Sequence, residues 1–192
     1  MFPPGHGLDS GDRTAFGQAT WQTVHLATLV GIAKAVLRDG VGYVQSRTRT
    51  FSHGAAETVQ HDPQVLQLLG ELSSQVAGIE TIFRAIPPVL AEHFAADARG
   101  ETLPEAEIDA LYAQVYQAQQ VIAPVTLEVA TKIFEVGGAS ATSTVRAFDR
   151  HWRNARVLAS HNPLIYRARI LGDYVVNGIS PERNYTVGQA AS

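Results

Sequence analysis

The sequence contains no cysteine among its 192 residues, and this absence removes several kinds of chemistry. Without a thiol, the chain has no disulfide, no thiolate nucleophile and no sulfur ligand for a metal. The seven histidines do not replace these ligands, because none follows the HExxH pattern or another spacing of a zinc site. The sequence therefore predicts no metal centre.

Charged side chains are also scarce. They make up 17% of the chain, whereas about 25% is usual in a soluble domain. The net charge is −3 without a long run of either sign, so the basic stripe of a nucleic-acid-binding protein is missing. A surface with so few charges predicts that another subunit or domain covers part of the exterior.

Long apolar runs are absent as well. The most apolar stretch, LATLVGIAKAVL, is interrupted by Lys34 and is too short to span a bilayer. The first residues, MFPPGHGLDSGDR, contain neither the basic nor the apolar segment of a signal peptide. We therefore expect no membrane partner and a cytoplasmic location.

Apolar residues at helical spacing predict a series of long helices. The first is expected over 14–50, where no proline occurs. Asp62 and Pro63 supply the N-cap and first-turn proline of a second helix, which should extend to about residue 98. The double proline at 87–88 should kink or split it.

The third helix has the clearest pattern, with apolar residues alternating by three and four over 108–136. Thr102 and Glu105 have capping-box spacing before it, Pro124 should bend it, and a Gly-Gly pair ends it. After a short connecting segment, the last helix is expected over 162–177.

No strand and no internal repeat is predicted. The fold class is all-α, an up-and-down bundle of long antiparallel helices. The expected division of the chain is an N-terminal loop or linker over 1–13, a helical bundle domain over 14–179 and a polar C-terminal tail over 180–192.

Residues with chemical potential concentrate between the third and last helices. The Gly-Gly pair is either a simple helix end or a place where the backbone approaches a phosphate or a ring. Asp149 and Arg153, four residues apart, are expected to form a surface ion pair. His161 precedes Asn162 and Pro163, and is either a solvated loop residue or an acid/base group beside a helix start.

Arg47 and Arg49 follow the first helix. They either complement the negative end of its dipole or bind a nucleotide or flavin phosphate. No P-loop, GxGxxG or GxSxG pattern is present. The residues alone therefore indicate a helical bundle and leave its purpose open.

Two long stretches resemble one known family. FEVGGASAT, followed by FDRHWRNARVLASHNPLIYRARILGDYVVNG, resembles the C-terminal part of flavin-dependent monooxygenases with the acyl-CoA dehydrogenase fold. Within that family the similarity is to the dibenzothiophene monooxygenase and dimethylsulfone-type sulfur-acquisition oxidoreductases. HLATLVGIAKAVLRDGVGYVQSRTRTF and DPQVLQLLGEL resemble the first two helices of the same domain, so the resemblance spans about 16–178.

The resemblance implies a C-terminal bundle without the N-terminal helical domain and the middle β-domain of such enzymes. In them the flavin lies between the β-domain and the bundle, and a neighbouring subunit completes the site. It therefore implies a homo-oligomer, a tetramer built as a dimer of dimers, with a separate flavin reductase and a small-molecule substrate. The cofactor implied is a flavin, FMN rather than FAD.

The resemblance also assigns roles to residues. Arg47 or Arg49 would contact the flavin phosphate, and His161 would donate or accept a proton in the reaction of reduced flavin with O₂. The loop approaching the cofactor from the adjacent subunit would be formed by Gly137, Gly138, Ala139 and Ser140. Some of these monooxygenases have an arginine where Ser140 stands, so the phosphate contact of the loop depends on that position.

Two alternatives remain at the level of the sequence. The chain is part of a true acyl-CoA dehydrogenase using FAD, although it lacks a Glu-Gly-Thr motif, and Glu128 or Glu135 would then have to act as base. Otherwise it is a truncated bundle with only a structural or assembly role.

Overall fold

Six α-helices make up the described part of the chain, which comprises residues 15–181 and residue 183 of a computed structural model. No strand occurs within these residues. The predicted loop at 1–13 lies outside them, as does nearly all of the predicted tail. The helices are α1 Gly17–Ser46, α2 Pro63–Arg84, α3 Ile86–Ala98, α4 Glu105–Lys132, α5 Asp149–Ala159 and α6 Leu164–Asn177.

The helices run alternately up and down, as predicted. Lys34 in the middle of α1 reaches Glu80 of α2, whereas Phe16, just before α1, packs on Phe94 of α3, so α2 and α3 run antiparallel to α1. Asp39 in the second half of α1 contacts His151 early in α5. Gln22 near the start of α1 accepts a hydrogen bond from Asn162, just after α5, so α5 also runs antiparallel to α1. The segments α2/α3 and α5/α6 are therefore two broken helices that return beside α1 and α4.

Helix α4 is the centre of the bundle and contacts each of the other five helices. Tyr112 and Tyr116 are among its fully buried side chains. Its C-terminal extension is a 3₁₀ turn, Ile133–Val136, against which α1 packs at a glycine. A Cβ atom at Gly40 would lie 2.1 Å from Cδ1 of Ile133, so no larger residue fits there without rearrangement.

Two predicted helix ends are confirmed and one is wrong. The carboxylate of Asp62 accepts hydrogen bonds from the backbone N–H groups of Gln64 (2.9 Å) and Val65 (3.4 Å), capping α2. The double proline does split the second helix, because α2 ends and α3 begins around Ala85. The Thr102 capping box is not formed, since α4 begins directly after a proline without a side-chain cap.

Helix α5 was not predicted as a separate helix, and its charges pair differently from the expectation. Within the described residues Asp149 and Arg153 form no ion pair. Arg150 and His151 instead bind Asp39 of α1. A contact to a neighbouring helix has thus replaced the pair expected within α5.

Helix α6 begins two residues later than predicted. Asn162 does not cap it, because its amide is buried and directed to α1. Gly178 ends the helix in the left-handed conformation with φ 67°, as the sequence predicts. Among all the described helices, none has the length and apolar character needed to cross a bilayer.

Candidate functional site

The residues singled out from the sequence lie in two separate places. Arg47 and the Gly-Gly pair meet at the C-terminal end of α1. His161 lies beside His25, near the N-terminal end of the same helix. About 20 residues of continuous helix separate the two places, which corresponds to about 30 Å at 1.5 Å per residue. One copy of the described chain does not bring the predicted residues together.

At the first place, side chains form a cluster that we call the cationic corner. It consists of Arg47, Arg146, Tyr43, Phe51 and Gly137. The guanidinium carbon of Arg47 lies 5.7 Å from the Tyr43 ring centre and 5.4 Å from that of Phe51. Arg146 lies 4.4 Å from the Tyr43 ring centre. Of the ion pairs formed by the described residues, none includes either arginine. The corner therefore contains two cations without a carboxylate partner.

Only part of the donor capacity of Arg47 is used. Its Nη1 donates to the carbonyl oxygen of Val136 at 3.1 Å, which fixes the guanidinium beside the glycine loop. A guanidinium carries five N–H donors, so several remain for an anionic ligand. Arg49 is exposed and its side chain makes no hydrogen bond or ion pair with the described residues.

The Gly-Gly pair packs directly against the rings of the corner. A Cβ atom at Gly137 would lie 2.4 Å from Cβ of Ala141 and 2.8 Å from Cε1 of Tyr43. Gly138 has φ 53°, and its Cβ would lie 2.9 Å from Cζ of Phe51. Both glycines are therefore required by close packing, and a 3₁₀ turn, Gly138–Thr142, presents the exposed residues that follow them.

A cleft of about 360 Å³ opens beside the corner, and Arg47 and Phe51 form part of its wall. Asp62 also lines it, but its carboxylate already accepts three backbone N–H groups, including that of Ala55 at 3.1 Å. Apolar side chains such as Leu68 form other parts of the wall. The cleft thus combines apolar walls with one oriented cation, as ligand sites commonly do.

At the second place, buried amides hold the residues around His161. The amide of Asn162 donates to Oε1 of Gln22 at 2.7 Å, and the amide of Gln119 donates to the same oxygen at 2.6 Å. The His161 ring is exposed to solvent, and its centre lies 4.6 Å from that of His25, with the two planes at 45°. The turn between α5 and α6 is thereby fixed on α1.

Burial, and next to it the nearby His161, lowers the pKa of His25 below its ordinary value. His25 is therefore an uncharged imidazole at neutral pH. Neither His25 nor Gln22 was identified from the sequence as a partner of His161. Gln22 and His25 lie one helical turn apart on α1. Residues on one face of any helix share this spacing, so it does not mark these two as partners of His161.

The two carboxylates considered as alternative bases have different surroundings. Hydrogen bonds from Lys132 and Gln75 lower the pKa of Glu128, so this carboxylate stays ionised and paired. Glu135 is exposed and lines the cleft near Arg47. Within the described residues no group of three or more histidine or acidic side chains forms a metal site.

Comparison with known proteins places these features in a family context. Residues 23–164 match the family described as acyl-CoA dehydrogenase, C-terminal domain. The chain is 29% identical over 179 residues to a dibenzothiophene monooxygenase of Mycolicibacterium goodii, covering 93% of this chain and 42% of that protein. It is 30% identical over 163 residues to SfnC of Pseudomonas putida, a probable FMNH₂-dependent monooxygenase, covering 84% of this chain and 40% of SfnC.

A solved structure agrees with these relatives. The FMN-bound form of TdsC from Paenibacillus sp. A11-2 superposes with a TM-score of 0.79 at 28% identity, covering 88% of this chain and 42% of TdsC. The chain therefore spans about two fifths of the length of the relatives it matches.

Proposed function

The chain belongs to the acyl-CoA dehydrogenase C-terminal domain family, and from this premise we propose that it forms the C-terminal bundle of a two-component monooxygenase using reduced FMN and O₂. The proposal is supported by relatives that are named as monooxygenases, one of them FMNH₂-dependent. FMN rather than FAD is supported by the FMN-bound neighbour.

The observation on which the proposal depends is the cationic corner. Two guanidinium groups without carboxylate partners lie on one tyrosine ring, next to a cleft and a glycine loop. Guanidinium groups bind phosphate by paired, charge-assisted hydrogen bonds. Arg47 would hold the FMN phosphate, while the exposed backbone of Ala139 and Ser140 would border it.

Arg146 supplies the second cation of the corner. Some similar monooxygenases have an arginine where this chain has Ser140, and Arg146 lies two turns further along the same loop. The backbone N–H of Ser143 donates to the Ser140 carbonyl at 3.5 Å, and that of Arg146 donates to the Ser143 carbonyl at 3.0 Å. This tight path brings Arg146 back over Tyr43, where it compensates for the neutral Ser140.

His161 is the acid/base group of the proposed site. Bound reduced FMN supplies the electrons that activate O₂. The imidazole of His161, exposed at a fixed turn, holds or releases the proton that this chemistry requires. The nearby amides of Gln22 and Gln119 keep that turn in place.

The distance between the two places supports a shared site between subunits. A separation of about 30 Å along α1 exceeds the reach of a single FMN molecule. The corner would therefore serve the flavin of one active site and His161 that of another, in a homo-oligomer arranged as a dimer of dimers. Exposed apolar side chains provide surfaces for such contacts, among them Trp21, Val157, Ile165, Val175 and Val176.

Fluorescence titration of the 192-residue chain with FMN and with riboflavin, which lacks the phosphate, tests the proposed phosphate contact. We expect FMN to bind more tightly than riboflavin. R47Q and R146Q should each weaken FMN binding about tenfold, because each removes charge-assisted hydrogen bonds, and should leave riboflavin binding unchanged. Arg169→Gln removes the same charge from an exposed site on α6 and should not alter either affinity.

Equal affinity for FMN and riboflavin in the native chain would contradict the assignment of the corner. A complete lack of flavin binding would favour the alternative in which the bundle has only an assembly role. An equal loss in R169Q and R47Q would show that net charge, not the corner, attracts the ligand.

A further inference from the structure

The proposed function assigns no role to the imidazole of His25. It is half-buried on α1, and its ring nitrogens make no hydrogen bond within the described residues. Its ring instead packs on that of His161, with centres 4.6 Å apart. Half-buried histidines usually find a carboxylate or carbonyl partner, so a second imidazole in that position requires an explanation.

The backbone around His161 is fixed from two helices. Gln22, one turn before His25 on α1, accepts the amide of Asn162 at 2.7 Å. Gln120 of α4 donates its amide to the carbonyl oxygen of Leu164 at 2.9 Å. The ring of His161 therefore projects from a turn held on both sides, and His25 is the group against which it rests.

The electrostatic setting of the pair is simple. The small cavity beside it is lined by residues of α1, α4, α5 and α6, and in this lining His25 is the sole titratable side chain. No described carboxylate acts on His25; within the described residues its electrostatic partner is His161. Two imidazolium ions at this distance repel each other without compensation, so the pair favours states with at most one charge.

We propose that His25 is the positioning residue of His161, and that the two rings form an imidazole pair in which the half-buried His25 ring holds the exposed His161 ring in place. His25, the more buried ring, remains neutral and gives the His161 ring a fixed face. The assignment rests on the proposed function for the acid/base role of His161, whereas the pairing is a property of this chain alone. Its consequence is that a positive charge on one ring disfavours a positive charge on the other.

Histidine titration by NMR in the 192-residue chain tests the pairing. The Cε1–H signals of His25 and His161 are assigned with H25F and H161Q. In H161Q the midpoint of His25 should rise by about half a pH unit or more, because the neighbouring charge is removed. His61→Gln removes an exposed histidine far from the pair and should leave both midpoints unchanged. H161F keeps a ring over His25 and removes only the charge, so the rise should persist in H161F, whereas a rise caused by exposure of His25 to solvent would not.

The ring contact itself has a separate readout. The native chain should show a cross-peak between the two imidazole rings, and the His161 signal should carry a ring-current displacement. H25F keeps an aromatic ring and should retain that displacement, whereas H25A should lose it. Circular dichroism spectra of all variants confirm that they are folded.

An unchanged His25 midpoint in folded H161Q, or a native chain without the inter-ring cross-peak, would overturn the pairing. These measurements need no flavin. Failure of the proposed function would appear in the FMN titration and leave the histidine titration intact, so the two are distinguishable.

Discussion

Gly137 is the residue on which the cationic corner depends, because its missing side chain lets Tyr43 lie against the loop. A Cβ atom there would fall 2.8 Å from the tyrosine ring and 2.4 Å from Cβ of Ala141. Tyr43 in turn carries both arginines of the corner on its ring. The absence of a side chain at Gly137 thus allows the Tyr43 ring to take the position in which it contacts Arg47 and Arg146.

Replacing Gly137 by alanine should therefore cost stability and flavin binding together. The clash involves a ring and a backbone-attached carbon, so we expect about 1–3 kcal/mol of lost unfolding free energy. Chemical denaturation followed by circular dichroism measures this loss. Gly172→Ala is the matched control, since nothing lies within 4 Å of that exposed position in α6, and it should be neutral or stabilising by up to about 1 kcal/mol.

At this scale the sequence singles out Arg47 and the Gly-Gly pair as candidate site residues, and it does not single out His25. Arginines after a helix and paired glycines have a plain reading, as complements of the helix dipole and as a helix end, and a ligand-binding reading, and the residue types alone leave both open. His25 lies within a regular helical pattern, and its partner comes from a turn at the other end of the chain. Pairing of this kind depends on how α5 folds back on α1, which residue types do not reveal.

The contact between α1 and α5 stabilises the packing of these two helices near the cationic corner. Asp39 accepts hydrogen bonds from His151 and from Arg150. Burial opposes the ionisation of Asp39, but hydrogen bonds from His151 and Arg38 outweigh it and lower the pKa of this carboxyl. The ionised Asp39 therefore stabilises the folded state at neutral pH.

We expect Asp39→Asn to lower the unfolding free energy by about 1 kcal/mol at neutral pH. Since folding lowers the pKa of Asp39, its contribution to the unfolding free energy is complete at pH values above the ordinary pKa of an aspartate side chain. The contribution is lost as the pH falls through the folded pKa. The difference in denaturation midpoint between the native chain and D39N should thus shrink at acidic pH. A constant difference from neutral to acidic pH, or an equal effect of D97N at an exposed site, would contradict this account.

The helices themselves differ in how well the sequence predicts them. Asp62 and the double proline mark helix boundaries by local chemistry, and both boundaries are confirmed. Helix α5 was missed because it buries only His151 and Ala155, too few for a clear apolar stripe. Its stability comes from contacts with α1 and α4, and these exist only once the bundle has formed.

At the scale of the whole molecule, the two candidate places lie on one long helix. The cationic corner and the imidazole pair lie about 30 Å apart, at opposite ends of α1. Apolar residues such as Val145 and Val176 are exposed, and charged residues make up only 17% of the chain. A domain whose faces are covered by other subunits needs few surface charges. The low charge content therefore agrees with the oligomer proposed above.

Amide chemical-shift mapping during an FMN titration of the native chain shows whether this bundle provides the phosphate end of a flavin site at the cationic corner. We predict that FMN shifts the backbone amides of Gly137, Gly138 and Ala139, and that riboflavin shifts them much less. Shifts confined to the His161–Asn162 turn, or equal shifts with FMN and riboflavin, would contradict it.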